Sequence, residues 1–287
     1  MSICGSVTND WRLLLCNKVV FITGGAGWIA RHIAKTCYEH GSRLVLADTK
    51  LETIVRVKNE IFPSENTDER ILPIELDVLD EESIQTAVKS TLNKWNTIDI
   101  LINTFVNSDN LCEMSFSRMF VFRAAIFTLG FVENLSPDDW SNILNVNVRG
   151  YALMVKHIAP VLKKQRHGSI VNISSCAGIV AHSTFLPYST SKGAINQLTR
   201  NLALDLGLYN IRVNSISPGA IDSPVLYESA AKGGVTKEEF DKEHGGKCLK
   251  RLGHPQEIAN MTVFLASDLS SFITGTNIVV DGGYTIV

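Results

Sequence analysis

The sequence has little charge imbalance, no paired cysteines and no apolar run long enough to span a bilayer, and each lack removes a class of function. Lys and Arg number 27 against 29 Asp and Glu, a formal net charge of −2 over 287 residues. No polybasic surface for nucleic acid or anionic membrane is therefore expected. No stretch reaches 18 apolar residues, and the most apolar window, Met119 to Val132, is broken by Arg123, which argues against a membrane span. The six cysteines, at 4, 16, 37, 112, 176 and 248, form no Cys-x-x-Cys pair, so reduced thiols are expected rather than a zinc ribbon or a disulfide framework. The first residues lack a basic segment followed by a long apolar run, which predicts no signal peptide and a soluble cytoplasmic protein. The seven His show neither metal-ligand spacing nor the Asp–Ser partners of a hydrolase, so no metal is expected.

What is present reads as a packed globular chain. Apolar residues make up 45%, with 20 Gly and 8 Pro, which excludes disorder and low complexity. From residue 18 onward short β-branched runs alternate with helix-length segments. Lys18–Thr23, Arg43–Asp48, Ile71–Asp77, Ile98–Asn103, Ser169–Ser174, Ile211–Ser217 and Thr276–Val280 read as strands. Helices are expected at about 27–40, 50–62, 80–95, 137–164, 187–207 and 255–267. The fourth opens on Ser136-Pro-Asp-Asp139, a capping box with Pro at the first helical position, and the last on His254-Pro255-Gln-Glu257. Strands apolar on both faces and separated by helices imply crossover units and a parallel sheet covered on both sides. The fold class is therefore α/β: a doubly wound, seven-stranded parallel sheet of Rossmann type in three layers. It is expected to form one domain over 17–287, preceded by an extension over 1–16. Residues 104–123, with Phe105, Phe116, Phe120 and Phe122, fall outside the alternation.

Between the first strand and the first helix lies Thr23-Gly-Gly-Ala-Gly-Trp-Ile-Ala30. Read as Gly25-x-Gly27-x-x-Ala30 it fits the dinucleotide fingerprint, in which glycines let backbone N–H groups approach a pyrophosphate at a helix N-terminus. A tight turn without ligand would read the same. Asp48 ends the second strand 21 residues after Gly27, where a carboxylate bonds both adenosine ribose hydroxyls and repels a 2′-phosphate, which favours NAD over NADP. Its other reading is a helix N-cap. Turn, spacing and acid together favour a dinucleotide site.

Tyr188-Ser-Thr-Ser-Lys192 sets a phenol and an ammonium four apart on one helical face. Ser175 lies 13 residues earlier, where a strand runs into a loop at its carboxyl end, the edge at which open parallel sheets bind ligands. With Asp77-Val78, Asn147 in Asn145-Val-Asn-Val-Arg-Gly150, Pro218-Gly219 with Ser223, and the ending Gly275-Thr-Asn-Ile-Val-Val-Asp-Gly-Gly283, the sequence resembles the short-chain dehydrogenase/reductase family, in its subgroup of about 250 residues. The resemblance covers roughly 17–103 and 124–287.

It implies an NAD(H)-dependent oxidoreductase that interconverts a secondary alcohol and a carbonyl, with Tyr188 as general acid/base. Lys192, with the oxidised nicotinamide nearby, would lower the phenol's pKa and would also bond the nicotinamide ribose, Ser175 would hold the substrate oxygen, and Asn147 would anchor a proton-relaying water. Gly24, Gly27, Ile29 and Asp48 would cradle the cofactor, Asp77 and Val78 would border the adenine, and Asn103 would lie beneath the adenosine ribose. Pro218, Gly219 and Ile221 would border the nicotinamide. The partner implied is a small alcohol or ketone, and the assembly a homodimer or homotetramer.

Two departures carry competing expectations. The family's common turn, Thr-Gly-x-x-x-Gly-x-Gly, has Trp28 and Ala30 at its last two glycines, while Gly24, Gly27 and Ala30 fit the register of longer epimerase and dehydratase relatives. An Asn-Asn-Ala-Gly motif expected after the fourth strand is split: Asn103-Thr104 stands some 20 residues ahead of Ala124-Ala125-Ile126. If Trp28 needed a left-handed backbone, or its ring filled the cofactor's space, binding would be lost. The alternative is then an impaired or cofactor-free binding protein of the same fold. A nucleotide-sugar enzyme ranks below both, because little more than Pro218–Lys250 is left for a substrate domain. That segment mixes Tyr227, Phe240 and charged residues without a readable substrate preference. His182 faces either the substrate or solvent.

Overall fold

In a computed structural model the described residues are 13–63, 69–104, 130–224, 227 and 235–287. Seven parallel strands, β1 Val19–Thr23, β2 Arg43–Asp48, β3 Ile71–Glu75, β4 Ile100–Asn103, β5 Gly168–Ile173, β6 Ile211–Pro218 and β7 Asn277–Val280, lie in the order β3-β2-β1-β4-β5-β6-β7. Every residue of β1, β4 and β5 is buried, as expected of strands covered on both faces. Register is regular, with Val20 of β1 opposite Leu44 of β2 and Ile100 of β4. The strand order reverses between β1 and β4, so the crevice at their carboxyl ends is the ligand-binding edge of such a sheet.

The two cores follow from alternation along the strands. Val20 and Ile22 of β1 pack with Ile33 of helix α1 (Trp28–Glu39), Ile54 of α2 (Leu51–Ile61) and Ile258 of α8 (Pro255–Ala266). Phe21, on the other face, joins Ile84 of α3 (Glu81–Trp95), Ile158 of α5 (Tyr151–Gln165) and Ile195 of α6 (Leu186–Gly207). The three-layer expectation holds.

The structure corrects the element reading at two places. The single helix expected over 137–164 is divided: α4 (Pro137–Leu144) passes into a π-helical turn, Asn145–Gly150, before α5. The apolar stripe continues across this turn, so periodicity does not reveal it, and such turns recur at functional sites. The Ser136 capping box is present, with Asp139 N–H donating to Ser136 Oγ at 3.1 Å. A further helix, α7 (Lys237–His244), lies in the segment that showed no pattern. Its start is marked by a Thr236–Glu239 capping box. The end of the 1–16 extension is part of the packing: Leu15 is buried and its N–H donates to His40 O. Of 104–123, only Thr104 falls among the described residues, and the Phe cluster lies outside them. No described helix is long and apolar enough to cross a membrane.

Candidate active site

The carboxyl ends of β1, β5 and β6 open onto a cleft of about 300 Å³. Its first wall is the glycine turn. Gly24 has φ +64°, a left-handed conformation that favours glycine, and Gly25 N–H reaches across to Ala47 O of β2 at 2.9 Å. Gly27 caps α1 with no side chain bonding the helix N–H groups. The free donors and positive dipole end of a twelve-residue helix therefore stand at the cleft. Trp28 begins α1 without a positive φ, so the backbone objection to a bulky residue there does not apply. Its indole N–H donates to Asp222 O at 2.8 Å, tying the glycine turn to the segment after β6.

Asp48 does not cap α2, whose N-cap is Lys50. Its Oδ2 accepts from Ala26 N–H at 3.0 Å and its Oδ1 from Thr49 N–H at 2.8 Å. The carboxylate thus braces the glycine turn from the end of β2, on the same edge as the cleft but outside its lining. Asp77 is exposed and turns on itself, accepting from Leu79 N–H at 2.8 Å, while Val78 is packed into the α3/α5 core. Neither lines the cleft. Asn103 is fully buried: its amide donates to Asn172 Oδ1 at 3.0 Å and its Oδ1 accepts from Thr23 Oγ1 at 3.3 Å. Its side chain links β1, β4 and β5.

Ser175, Tyr188 and Lys192 meet in the cleft, together with Gly27, Ile29, Pro218, Gly219 and Ile221. Ser175 opens a short turn, Cys176–Gly178, and its Oγ accepts Ala177 N–H at 3.1 Å. A Cβ on Gly178 would stand 2.6 Å from Lys192 C, so this turn rests directly on the α6 backbone. Tyr188 is 8% exposed and hydrogen-bonded through its side chain to Ser175. Lys192 is 1% exposed, its Nζ donating to Ile173 O at 3.0 Å and lying 5.6 Å from the Tyr188 ring centroid. The same carbonyl accepts from Tyr151 Oη–H at 3.0 Å. Burial lowers Lys192 from 10.5 to about 7. Burial also raises the Tyr188 phenol, opposed by the Ser175 hydrogen bond.

Asn147 sits behind this group on the π-helical turn, 1% exposed, its amide donating to Ser191 Oγ at 3.0 Å. Ser191 in turn donates to Tyr188 O at 2.7 Å. Asn147 Oδ1 is buried without a partner, an acceptor left open beside the cleft.

The lining also carries a group of aromatic and imidazole rings. His182 is a cleft residue, stacked on Tyr284 at 5.6 Å and packed on Phe185. Phe240 and His244 of α7 stack on each other at 4.2 Å. Of these only His182 was visible in the sequence as a candidate. The Thr236–Glu239 capping box was the available signal for α7, and nothing in sequence spacing pointed to Tyr284.

The comparisons with known proteins accord with this geometry. The family described as enoyl-(acyl carrier protein) reductase matches residues 25–285. The chain is 34% identical over 274 residues to trans-4-hydroxycyclohexanecarboxylate dehydrogenase of Sinomonas cyclohexanicum, covering 94% of each protein. It is 32% identical to an NAD-dependent glycerol dehydrogenase of Listeria innocua, covering 95% of each. Levodione reductase superposes with a TM-score of 0.81 at 26% identity, over 95% of this chain and 99% of that one. ElxO with NADP bound superposes with a TM-score of 0.80 at 25% identity, over 94% and 100%. The chain belongs to the short-chain dehydrogenase/reductase family of oxidoreductases.

Proposed function

We propose that this protein is an NAD(H)-dependent oxidoreductase interconverting a secondary alcohol and a carbonyl, with Tyr188 as general acid/base and Asn147, Ser175 and Lys192 as its partners. The observation that carries the reading is Lys192, a buried ammonium with one short hydrogen bond, set beside a phenol and a hydroxyl in a cleft. A buried lysine with N–H groups to spare is costly unless another acceptor meets it. The ribose hydroxyls of a nicotinamide cofactor supply that acceptor.

The residues present fit such a group. The uncapped α1 terminus would hold the pyrophosphate, Lys192 the nicotinamide ribose, and Pro218, Gly219 and Ile221 one side of the nicotinamide. When bound, the cofactor accepts or donates the hydride and, oxidised, brings a positive charge to the site. The chain's own groups handle the proton. Ser175 holds the substrate oxygen, Tyr188 exchanges a proton with it, and a positive charge nearby opposes the burial that raises the phenol's pKa. The open Oδ1 of Asn147 would accept from a water on the path behind Lys192. The position of Asp48 supports NAD over NADP, since a 2′-phosphate at the end of β2 would meet like charge.

Tyr188→Phe is expected to abolish turnover of NADH with ketones while NADH binding remains, and full activity in that variant would refute the assignment. A homodimer or homotetramer is part of the proposal on the family resemblance. A second reading, a cofactor-free binding protein, is kept alive by Trp28, whose indole bridges the glycine turn and Asp222 across the cleft. Titration with NADH followed by tryptophan fluorescence separates the two: saturable quenching at micromolar NADH removes the second.

A further inference from the structure

The wall of the cleft made by the loop before α6, by α7 and by the chain after β7 is unlike the rest. Among the described lining residues it brings together two imidazoles and three aromatic rings and no carboxylate. His182 lies on Tyr284, its two ring planes 15° apart, and its Nε2 is buried without a hydrogen-bond partner. His244, also in the cleft lining, stacks on Phe240, and its Nδ1 bonds Phe240 O at 3.2 Å, so Nε2 is the nitrogen left for a ligand. His244 sits in the last turn of α7, where the helix dipole favours a cation. Both imidazoles line the one cleft, and His244 adds to the burial that holds His182 below the ordinary histidine pKa.

We infer that His182 and His244 form an anion site, and that the substrate is an oxo or hydroxy acid whose carboxylate meets them while its apolar, ring-sized body lies against Phe185, Phe240 and Tyr284. This deepens the reading above, on which its description as a substrate site rests. The remaining charged and titratable groups on this wall are compatible with it. Asp281 is spent on the N–H groups of Gly283 and Thr285. Lys247 Nζ lies 5.0 Å from the Tyr284 ring and adds positive charge. Tyr284 and Cys176 are both pushed up by burial and stay protonated near neutrality. On α7, Asp241 is engaged by Tyr227 and Lys237, and Glu243 is exposed.

The pH dependence follows. Burial and the neighbouring His244 hold His182 below the ordinary histidine pKa. An arriving carboxylate favours the imidazolium, so binding takes up a proton and tightens as pH falls. A neutral ligand of the same shape gains nothing from acid.

The test is calorimetric titration of the full chain, with and without NADH, using cyclohexanecarboxylate and cyclohexanecarboxamide at pH 6 and pH 8. The acid is expected to bind at least tenfold more tightly than the amide at pH 6, with proton uptake read from the buffer dependence of the heat. That preference should shrink at least tenfold by pH 8 and disappear in H182Q/H244Q, whose folding is checked by near-ultraviolet circular dichroism. Equal affinities, no binding of the acid at millimolar concentration, a preference independent of pH, or one that survives in the double variant would overturn the inference. A chain that prefers the acid but does not bind NADH loses the oxidoreductase reading and keeps the anion site. A chain that binds NADH and reduces cyclohexanone without preferring the acid does the reverse.

Discussion

Replacing Lys192 by Met should stabilise the fold, and by an amount that depends on pH in a defined way. Burial lowers the ammonium from 10.5 to about 7, and each pH unit of difference is worth about 1.4 kcal/mol. A folded-state pKa below the unfolded one means that the unfolded chain binds more protons between the two values, so stability rises with pH there. The penalty of keeping Lys192 is therefore complete below about pH 7 and fades as pH approaches 10.5. It amounts to about 5 kcal/mol at pH 6 and about 2 kcal/mol at pH 9, both upper limits because relaxation around the charge reduces them. Methionine has similar reach and no charge. The carbonyl it abandons, Ile173 O, keeps the Tyr151 hydroxyl as donor, so no buried acceptor is orphaned. Urea denaturation of wild type and Lys192→Met at pH 6, 7, 8 and 9 reads the difference directly, and titrations common to both chains cancel. The variant should be the more stable by several kcal/mol at pH 6, with the gap closing by more than half at pH 9. Parallel stability curves, or a less stable variant throughout, would refute the claim that this ammonium is desolvated at a cost the fold carries for its site.

Two other substitutions probe the architecture around it. Asp48→Ser should narrow the preference for NADH over NADPH at least tenfold, read from dissociation constants by fluorescence titration, because the like charge at the end of β2 is gone; Ala26 N–H also loses its acceptor, so a modest loss of stability should accompany it. Gly178→Ala places a methyl 2.6 Å from Lys192 C and 2.8 Å from Gly193 N, backbone atoms of α6 that cannot step aside, and should cost about 1–3 kcal/mol or more in urea denaturation.

The sheet was legible in the sequence because its strands are short, β-branched and bounded by turn residues, and both faces are covered. Arg43–Asp48 was read to the residue, and Ile211 to Ser217 one short of the structure's Pro218. What periodicity missed has physical reasons. The π-helical turn at Asn145–Gly150 leaves the apolar stripe intact, and α7 carries almost no apolar face, with only Phe240 buried. Ser175, Tyr188 and Lys192 could be found together because two of them share one helix and the third ends the strand beside it. Asn103 was legible as an element end, and the bonding of its side chain was not. The sequence shows an asparagine at a ligand-binding edge, and only packing shows that its amide is already spent on Asn172. Tyr284 and His244 come from distant parts of the chain, and only the fold brings them to the cleft.

Asn103 and its neighbours explain how the fold holds a desolvated lysine in place. Thr23 Oγ1 donates to Asn103 Oδ1, Asn103 to Asn172, and Asn172 to Thr199 Oγ1 at 3.0 Å, a buried polar chain running from β1 through β4 and β5 to α6. Ser174 Oγ donates to Lys192 O at 2.9 Å, and Ser191, held by Asn147, donates to Tyr188 O. Three of these bonds, Asn172 to Thr199, Ser174 to Lys192 O and Asn147 to Ser191, tie α6 to its neighbours. A slide of the helix by one residue would break those three and leave polar groups buried without partners, at about 1–3 kcal/mol each. That sum is comparable to the cost of desolvating Lys192. The ladder is therefore what prevents α6 from relieving the strain by carrying Lys192 and Tyr188 out toward water, and it fixes both groups beside Ser175 whether or not anything is bound.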